Sequence, residues 1–520
     1  MPVAGSAPVL KKRFFYILLT LVFIFAFVII LFQCHDLVDD AYISARYAKN
    51  LAQGQGLVYN RIKGAERVEG YSNFLWVLAI FCGLKLGASP KITTQFLGIL
   101  CALLSLGLVF LLIKNLTKDR WLALLGVLFI SLNIYFAIWQ VEGLETPLFG
   151  ILILATIYSL AKNKNRLAMV FALLCALCRP DGILLFFAIA LVQFLKRKSL
   201  ALRVNYLTRI WLWFIVPYLC YFVWRAIYYK SLFPNTFYAK TGLGWIALRE
   251  GAIYFKDLFL AQPAMIFLFI LALASVFQVK KFSLWIQVLI VYLFSYLIFI
   301  FAVGGDWMPG FRFFIPLLSL FVIIGAIILK NWEEKAKNRA KFSKTYLYLF
   351  FTFLCALNLI GLIRYCAKDS PEKNWHRNQS KFYLPTALWL KKYVWQSQSI
   401  ALGDIGYIGY FGDHDRIIDT MGLVDRHLGR LKGISSMTTD LDYIFSQKPF
   451  CIVSLIHRYP DGTIIGHSQF DREVAKDPRL AQNYRLVKEI YGWRSVEISR
   501  EDWQKRESEV FFRIYFRKSL

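Results

Sequence analysis

The chain has 520 residues, of which 58% are hydrophobic and 17% are aromatic, and its formal net charge is +28. This composition, with a mean hydropathy of +0.50, excludes a wholly soluble multidomain protein. The positive charge does not indicate a nucleic-acid partner, because most bases lie in short segments between apolar runs, as the positive-inside rule predicts for cytoplasmic loops.

Apolar segments long enough to cross a membrane recur from Phe14 to Tyr365. The first follows three bases and lacks a small-residue cleavage site, so it predicts an uncleaved signal anchor with its N-terminus in the cytoplasm. The predicted segments are 14–33, 74–87, 94–113, 121–138, 147–161, 166–178, 182–195, 209–229, 262–278, 283–302, 312–330 and 345–365.

Placing every basic loop in the cytoplasm assigns the other connecting segments to the external face. These external segments are 34–73, 139–146, 179–181, 230–261, 303–311 and everything after residue 366. Two crossings between residues 74 and 113 would return the chain to the wrong side, so we expect 74–87 to lie in the interface or to re-enter. About 11 transmembrane helices then remain.

The region after residue 366 is polar, and its short apolar runs alternate with glycine-rich turns, which is typical of buried strands in a soluble α/β domain. We therefore predict a polytopic α-helical membrane domain over 1–365, with the external loop 34–73. A C-terminal α/β domain over 366–520 is predicted to lie on the periplasmic face.

The external loop carries acids, bases and aromatics at high density, in the run DDAYISARYAKNLAQGQGLVYN followed by GAERVEGYSNFLW. Asp39 and Asp40 can cap a helix or mark the interface. Alternatively, one of them is a general base for a sugar hydroxyl, which is a poor nucleophile at neutral pH. The candidate substrate-binding residues of this stretch are Arg46, Glu69, Tyr71 and Asn73.

A second acidic loop, VEGLETP, contains Glu142 and Glu145. These acids can simply stabilise the following helix, which has Pro147 in its first turn, by interacting with the positive N-terminal end of its dipole. Both also lie on the predicted external face with Asp39 and Asp40, where acids from two loops could bind a donor. Asp40 and Glu145 are the candidate ligands if a divalent cation such as Mg²⁺, Mn²⁺ or Ca²⁺ takes part.

Three further external motifs supply candidate substrate-binding residues. In CRPDG, the arginine can pair locally with the aspartate or bind phosphate. In PNTFYAK, the lysine can snorkel at the interface or bind a lipid phosphate. In GGDWMPGFRF, the tryptophan can belong to an interfacial belt or stack on a sugar. The residues concerned are Arg179, Asp181, Asn235, Lys240, Asp306, Trp307 and Arg312.

The first-loop run, with the later motifs GLETPLF, CRPDG, PNTFYAK, GGDWMPGFRF and GDIGYIGYFG, resembles glycosyltransferases of the GT-C superfamily. The similarity is to the mycobacterial terminal arabinofuranosyltransferase (AftB-like) family. It implies an integral-membrane enzyme that uses polyprenyl-phosphate sugars on the external face. It also implies that Asp39 or Asp40 is the catalytic base, that Glu142 and Glu145 form the second acidic loop, and that the C-terminal domain helps to bind the acceptor.

These observations predict an inverting glycosyltransferase of the bacterial inner membrane. Its donor is a polyprenyl-phosphate sugar, with a pentofuranose such as arabinofuranose indicated by the resemblance, and its acceptor is a cell-envelope glycan. Arg46, Arg179, Lys240 and Arg312 are the candidates to stabilise the departing phosphate. Two alternatives stay open: a transporter or flippase for lipid-linked sugars, and a non-catalytic assembly protein that binds an envelope polymer.

Overall fold

A computed structural model describes residues 6–62, 64, 66–196, 211–240, 244–337, 344–367, 371–431, 433, 437–498 and 505–518. Its described part is helical up to Ala367, and one further long helix and a sheet with short helices follow.

The described helices of the first part are α1 (Ser6–Phe32), α2 (Asp39–Ala52), α3 (Phe74–Lys85), α4 (Pro90–Thr117), α5 (Arg120–Ser131), α6 (Ile134–Trp139), α7 (Thr146–Ala161), α8 (Asn165–Cys178), α9 (Ile183–Lys196), α10 (Val216–Tyr229), α11 (Asn235–Lys240), α12 (Gly244–Ala261), α13 (Ala264–Val276), α14 (Leu284–Ala302), α15 (Ile315–Lys337) and α16 (Lys344–Ala367). Those of the C-terminal part are α17 (Pro371–Tyr393), α18 (Ile405–Gly412), α19 (Leu441–Ser446), α20 (Gln469–Val474) and α21 (Pro478–Asn483).

Short polar residues determine where several apolar helices begin. The Ser89 hydroxyl accepts the Ile92 N–H before α4, whose first residue is a proline. Asp119 caps α5 and Asn133 caps α6 in the same way. Such side chains satisfy the first backbone N–H groups of a helix, which have no partner within it. The break at Asn133 therefore divides the predicted segment 121–138 into two helices.

Six described helices are long and apolar enough to cross a membrane: Lys12–Phe32, Pro90–Thr117, Leu212–Tyr229, Leu284–Ala302, Ile315–Lys335 and Lys344–Ala367. Shorter apolar helices cover Phe74–Lys85, Arg120–Ser131, Thr146–Ala161 and Asn165–Cys178. The polytopic helical architecture is thus as predicted.

Two segments depart from simple crossings. The α3 helix has 12 residues and is about 18 Å long at 1.5 Å per residue, which is less than the thickness of a hydrocarbon core. The α12 and α13 helices are bent by 117° at a short break, so only the second of them follows the predicted segment 262–278. The number of crossings remains a prediction.

The C-terminal part contains a mixed six-stranded sheet with the strand order β2-β1-β3-β6-β5 and with β4 paired to β3. The strands are β1 (Ile400–Leu402), β2 (Ile417–Asp419), β3 (Cys451–Arg458), β4 (Ile464–Gly466), β5 (Tyr484–Ile498) and β6 (Lys505–Arg517). The β1 strand pairs in parallel with β2 and β3, whereas β6 pairs antiparallel with β3 and β5. The boundary at residue 366 remains a prediction.

The two faces of this sheet belong to different cores. Ile400 and Leu402 pack into the hydrophobic core that continues into the membrane part, whereas Ala401 packs with α19 and α20 on the other face. This alternation follows from the two-residue period of a strand. The α2 and α18 helices meet directly, and the rings of Tyr42 and Tyr407 are 4.3 Å apart. The first external loop therefore packs against the C-terminal part.

Candidate active site

Asp39 caps a helix of the C-terminal part from outside that helix. Its two carboxylate oxygens accept the backbone N–H groups of Gly406 and Tyr407, at 2.9 and 2.7 Å. These are the second and third residues of α18, whose N–H groups an N-cap side chain normally binds. Gly406 is required here, because a Cβ atom would lie 1.8 Å from the Asp39 carbonyl oxygen. Both carboxylate oxygens of Asp39 are thus used to hold the first loop against α18.

The N-cap residue of α18 itself, Asp404, does not cap its helix. Its carboxylate accepts the Tyr383 hydroxyl at 2.8 Å and interacts electrostatically with Asp40. Burial raises the pKa of Asp404, and it also raises the pKa of Asp39, where the charges of Asp404 and Asp40 add to the effect. Three carboxyl groups therefore lie together where the first loop meets α18.

A chain of hydrogen bonds joins this region to the second acidic loop. The Ser44 hydroxyl donates to the side-chain carbonyl of Asn73 at 3.1 Å. The side-chain NH₂ group of Asn73 donates to Glu145 Oε2 at 2.9 Å. Ser44 lies four residues after Asp40, so the two side chains share one face of α2. The two acidic loops therefore lie on the same side of the molecule.

Arg179 bridges two buried carboxylates. One guanidinium nitrogen contacts Glu145 at 2.7 Å, and the other two bind Asp181, with Nε and Nη2 each 3.0 Å from a carboxylate oxygen. The Tyr296 hydroxyl also donates to Asp181, at 2.6 Å. These bonds account for three of the five N–H donors of Arg179, so the group can still bind a phosphate oxygen.

Glu145 is held in its charged form. Burial alone would raise its pKa, but the charges of Arg179 and Arg312 and the hydrogen bond from Asn73 outweigh burial and lower the pKa. A carboxylate in this state is a poor proton donor. We therefore assign Glu145 the task of orienting Arg179.

Glu142 pairs with a residue that the sequence motifs did not indicate. Its Oε1 oxygen lies 3.0 Å from His376 Nδ1, and both side chains are buried. Burial raises the pKa of Glu142, and the nearby His376 opposes that shift. The second acidic loop is thereby fixed to α17.

One face of α17 contacts all three acidic segments. His376 binds Glu142, Gln379 accepts the backbone N–H of Asp39 at 2.8 Å, and Tyr383 binds Asp404. The spacing i, i+3 and i+7 places the three side chains in one stripe of a helix. The spacing of these polar residues in the run HRNQSKFY is the sequence feature that could have identified this face of α17 as part of the site.

The GGDWMPGFRF motif has a buried and an exposed part. Asp306 and Arg312 form a buried ion pair, with a carboxylate oxygen 2.7 Å from Arg312 Nε. The Arg312 and Arg179 guanidinium groups both lie beside the Phe313 ring, at 5.2 and 4.8 Å from its centre. Trp307, in contrast, is 61% exposed. The structure thus brings Arg312 to the Arg179 cluster and leaves Trp307 at the surface.

Arg46 is fixed by backbone carbonyls. Its Nε donates to the Tyr59 carbonyl at 2.8 Å, and its other nitrogens donate to the carbonyls of Gly409 and His414. Burial is nearly complete, at 2% exposure. These contacts indicate that Arg46 joins the first loop to the C-terminal part.

Glu69 and Tyr71 make a second set of buried contacts. Glu69 pairs with Arg225, whose Nε lies 3.0 Å from a carboxylate oxygen, and the Tyr71 hydroxyl lies 3.1 Å from that of Tyr229. Both partners belong to α10. These contacts indicate that the two residues hold the loop against α10.

Asn235 links α11 to the C-terminal part. Its amide donates to the carbonyls of Gly422 and Asp425, at 2.6 and 2.8 Å, and its backbone N–H donates to the Glu69 carbonyl at 2.8 Å. Asn235 therefore joins α11 to the first loop and to the C-terminal part. The side chain of Lys240 lies outside the described part of the chain.

Asn235→Ala is expected to destabilise the protein by about 1–3 kcal/mol, because two buried carbonyls lose their donor. Thermal unfolding of the purified protein in detergent measures this loss. The exposed Asn115, changed to Ala, is the control and should unfold as the wild type does. An unchanged midpoint for the Asn235 variant would contradict its assignment to packing.

The donor set does not fit a resident divalent cation at Asp40 and Glu145. Among the described residues, no three His, Cys, Asp or Glu side chains converge as metal ligands would. Both carboxylate oxygens of Glu145 are bonded, to Arg179 and to Asn73. We therefore derive no step through a cation.

An apolar groove of about 440 Å³ lies between α9 and α14. Its lining residues are Leu184, Phe187, Ala188, Ala190, Leu191, Phe194, Val291 and Ser295. Leu184 follows Asp181 by three residues, and Ser295 directly precedes Tyr296, which binds Asp181. The groove thus runs along α9, whose first residues follow Asp181 in the chain.

Comparison with solved structures shows which fold this is. The chain is similar to ArnT from Cupriavidus metallidurans bound to undecaprenyl phosphate, with 10% sequence identity and a TM-score of 0.51 over 97% of this chain and 98% of that one. For apo ArnT the identity is 10% and the TM-score 0.54, over 96% and 98%. The chain has a GT-C fold. The membrane helices and the C-terminal part both belong to the matched region, so the predicted fold class is confirmed.

Sequence comparisons add less. Residues 373–511 match a family described as "Domain of unknown function (DUF8728)". No curated protein matches the chain. The matched region of this GT-C chain begins in α17 and ends in β6, so it includes the polar stripe of α17.

Proposed function

We propose that this protein is a membrane glycosyltransferase that transfers a sugar from a polyprenyl-phosphate donor to a cell-envelope glycan. The site would lie on the periplasmic face of the bacterial inner membrane. As in the AftB-like enzymes that the motifs resemble, the sugar would be a pentofuranose such as arabinofuranose, and transfer would invert the anomeric centre.

One observation carries this proposal: a buried arginine with unused N–H donors binds Asp181, and Asp181 stands three residues before Leu184, which lines an apolar groove. A guanidinium is suited to bind phosphate, and an apolar groove is suited to a prenyl chain. The ArnT structure with undecaprenyl phosphate supports this pairing, because that protein binds a prenyl phosphate within the same fold.

In this mechanism Asp40 is the base. Asp39 is the poorer candidate, because both of its carboxylate oxygens already accept backbone N–H groups. The acceptor hydroxyl attacks the anomeric carbon and gives its proton to Asp40. The bond from that carbon to the phosphate oxygen breaks, and the electron pair leaves with the phosphate. Arg179 stabilises the growing negative charge, and Arg312 adds to the positive field around it.

The test is an assay of the purified protein in lipid vesicles. Polyprenyl-phosphate arabinofuranose and a nucleotide sugar are supplied separately, each with an envelope-glycan acceptor. We expect transfer from the lipid-linked sugar alone. Transfer from the nucleotide sugar in vesicles free of prenyl phosphate would overturn the donor assignment, and movement of the lipid-linked sugar between leaflets without transfer would favour a flippase.

A further inference from the structure

Two indoles meet edge to face where the membrane part contacts α17. Trp307 projects from the loop between α14 and α15, and its ring centre lies 6.0 Å from that of Trp375, with the rings nearly perpendicular. Trp307 is 61% exposed and Trp375 is half-buried. The Trp307 ring thus leaves an aromatic surface open beside α17.

Polar atoms without a protein partner lie directly beside this pair. His376 follows Trp375 in the chain, and among the described residues neither His376 Nε2 nor Glu142 Oε2 has a hydrogen-bonding partner. Both side chains are more than nine-tenths buried. Native proteins rarely leave such atoms unbonded.

The Trp307 loop lies against these atoms. The Trp139 indole N–H donates to the Gly310 carbonyl at 2.7 Å, and a Cβ atom on Gly310 would lie 3.5 Å from His376 Nε2. A Cβ atom at that position would be in van der Waals contact with the nitrogen, so the Gly310 backbone adjoins it. His376 Nε2 is therefore aimed toward the loop that carries Trp307.

We propose that Trp307, Trp375, His376 and Glu142 form a subsite for a sugar ring of the acceptor glycan. The exposed indole of Trp307 holds an apolar face of the ring and Trp375 supports that indole edge-on, and the Glu142–His376 pair binds the hydroxyl groups once the adjoining loop at Gly310 shifts. This inference rests on the proposed glycosyltransferase function and names the acceptor side of the same site.

The position of the subsite suits an acceptor. Gln379, which binds the backbone of Asp39, follows His376 by three residues, which is a rise of about 4.5 Å along α17. A sugar held at His376 is then close to the acidic pair. The prenyl groove runs instead along α9, so the two substrates would enter from different sides.

A carbohydrate fits these groups better than a lipid headgroup does. An interfacial tryptophan needs only an apolar surface on one side and water on the other. Here, a carboxylate and an imidazole with unsatisfied atoms lie beside two indoles, and sugars combine apolar ring faces with hydroxyl groups.

The experiment measures glycan binding in the absence of donor. An array of pentofuranose- and hexose-containing envelope oligosaccharides is probed with the purified protein, and the best binder is then titrated. Trp307→Ala and Trp375→Ala should each weaken binding about tenfold. Trp245→Ala and Trp395→Ala are the matched controls, because these indoles are 81% and 78% exposed elsewhere, and they should bind as the wild type does.

Equal affinities for all four variants would overturn the subsite, and so would binding of none of the array glycans by the wild type. Thermal unfolding of each variant shows whether it is folded. Because no donor is present, glycan binding that depends on Trp307 and Trp375 supports the subsite even if the transfer assay fails. Transfer that is unaffected by both substitutions would instead leave the glycosyltransferase proposal standing without this subsite.

Discussion

Asp40→Asn is expected to lower the rate of sugar transfer by about 10²- to 10⁴-fold and to leave the fold intact. The amide keeps the volume and polarity of the side chain but cannot accept the proton of the acceptor hydroxyl. The rate is measured in vesicles with the lipid-linked donor, and thermal unfolding of the same preparation reports stability.

Two neighbouring acids serve as controls for Asp40. Asp39→Asn should destabilise the protein by about 1–3 kcal/mol, because an amide has one acceptor oxygen and leaves one of the two backbone N–H groups of α18 without a partner. It should lower the rate less than the Asp40 change does. Asp36 pairs with Lys91 at the surface, at 2.7 Å, and Asp36→Asn should be nearly silent. A deeper loss of rate for the Asp39 variant, without loss of stability, would assign the base to Asp39.

Arg179→Ala is expected to destabilise the protein by about 3–5 kcal/mol, because Glu145 and Asp181 would be left as buried charges without a partner. Arg179→Lys keeps a cation and should fold better. It should still lower the transfer rate by about 10²-fold, since an ammonium cannot hold both carboxylates and a phosphate in one plane. Chemical unfolding and steady-state kinetics measure the two effects.

Arg225 provides the matched control for Arg179. It is also a buried arginine paired with a carboxylate, that of Glu69, but it lies outside the proposed phosphate site. Arg225→Lys should lower stability and leave the rate of the folded protein unchanged. If the two lysine variants lose stability alike and both retain the wild-type rate, Arg179 has no role beyond packing.

Much of the architecture follows from local pattern. Runs of apolar residues near 20 in length predict membrane helices because a hydrocarbon core tolerates no unpaired backbone group. The prediction failed at breaks within apolar runs. At Asn133, one polar side chain caps a new helix although the mean hydropathy of the surrounding run indicates a single helix. The segment 74–87 forms a helix of 12 residues, and its expected place in the interface or as a re-entrant segment stays a prediction.

The candidate site is less readable from the sequence. Motif density drew attention to the segments predicted to be external, but density does not separate chemistry from packing. Arg46 and Glu69 stand in the same run as Asp40, and Asn235 stands in another candidate motif. The contacts of all three nevertheless join the loop to α10 and to the C-terminal part. Polar residues are needed for both purposes, because buried backbone groups must be bonded.

The sequence alone determined that this is a polytopic membrane protein with a C-terminal α/β region, and that charged motifs cluster in the segments between its apolar runs. Hydropathy and periodicity are local properties, so they can be read along the chain. Tertiary structure decided which acids meet. The capping of α18 by Asp39, the Glu142–His376 pair and the Trp307–Trp375 pair join residues that are 68 to 367 positions apart. Such contacts depend on how helices pack, and no local pattern contains that information.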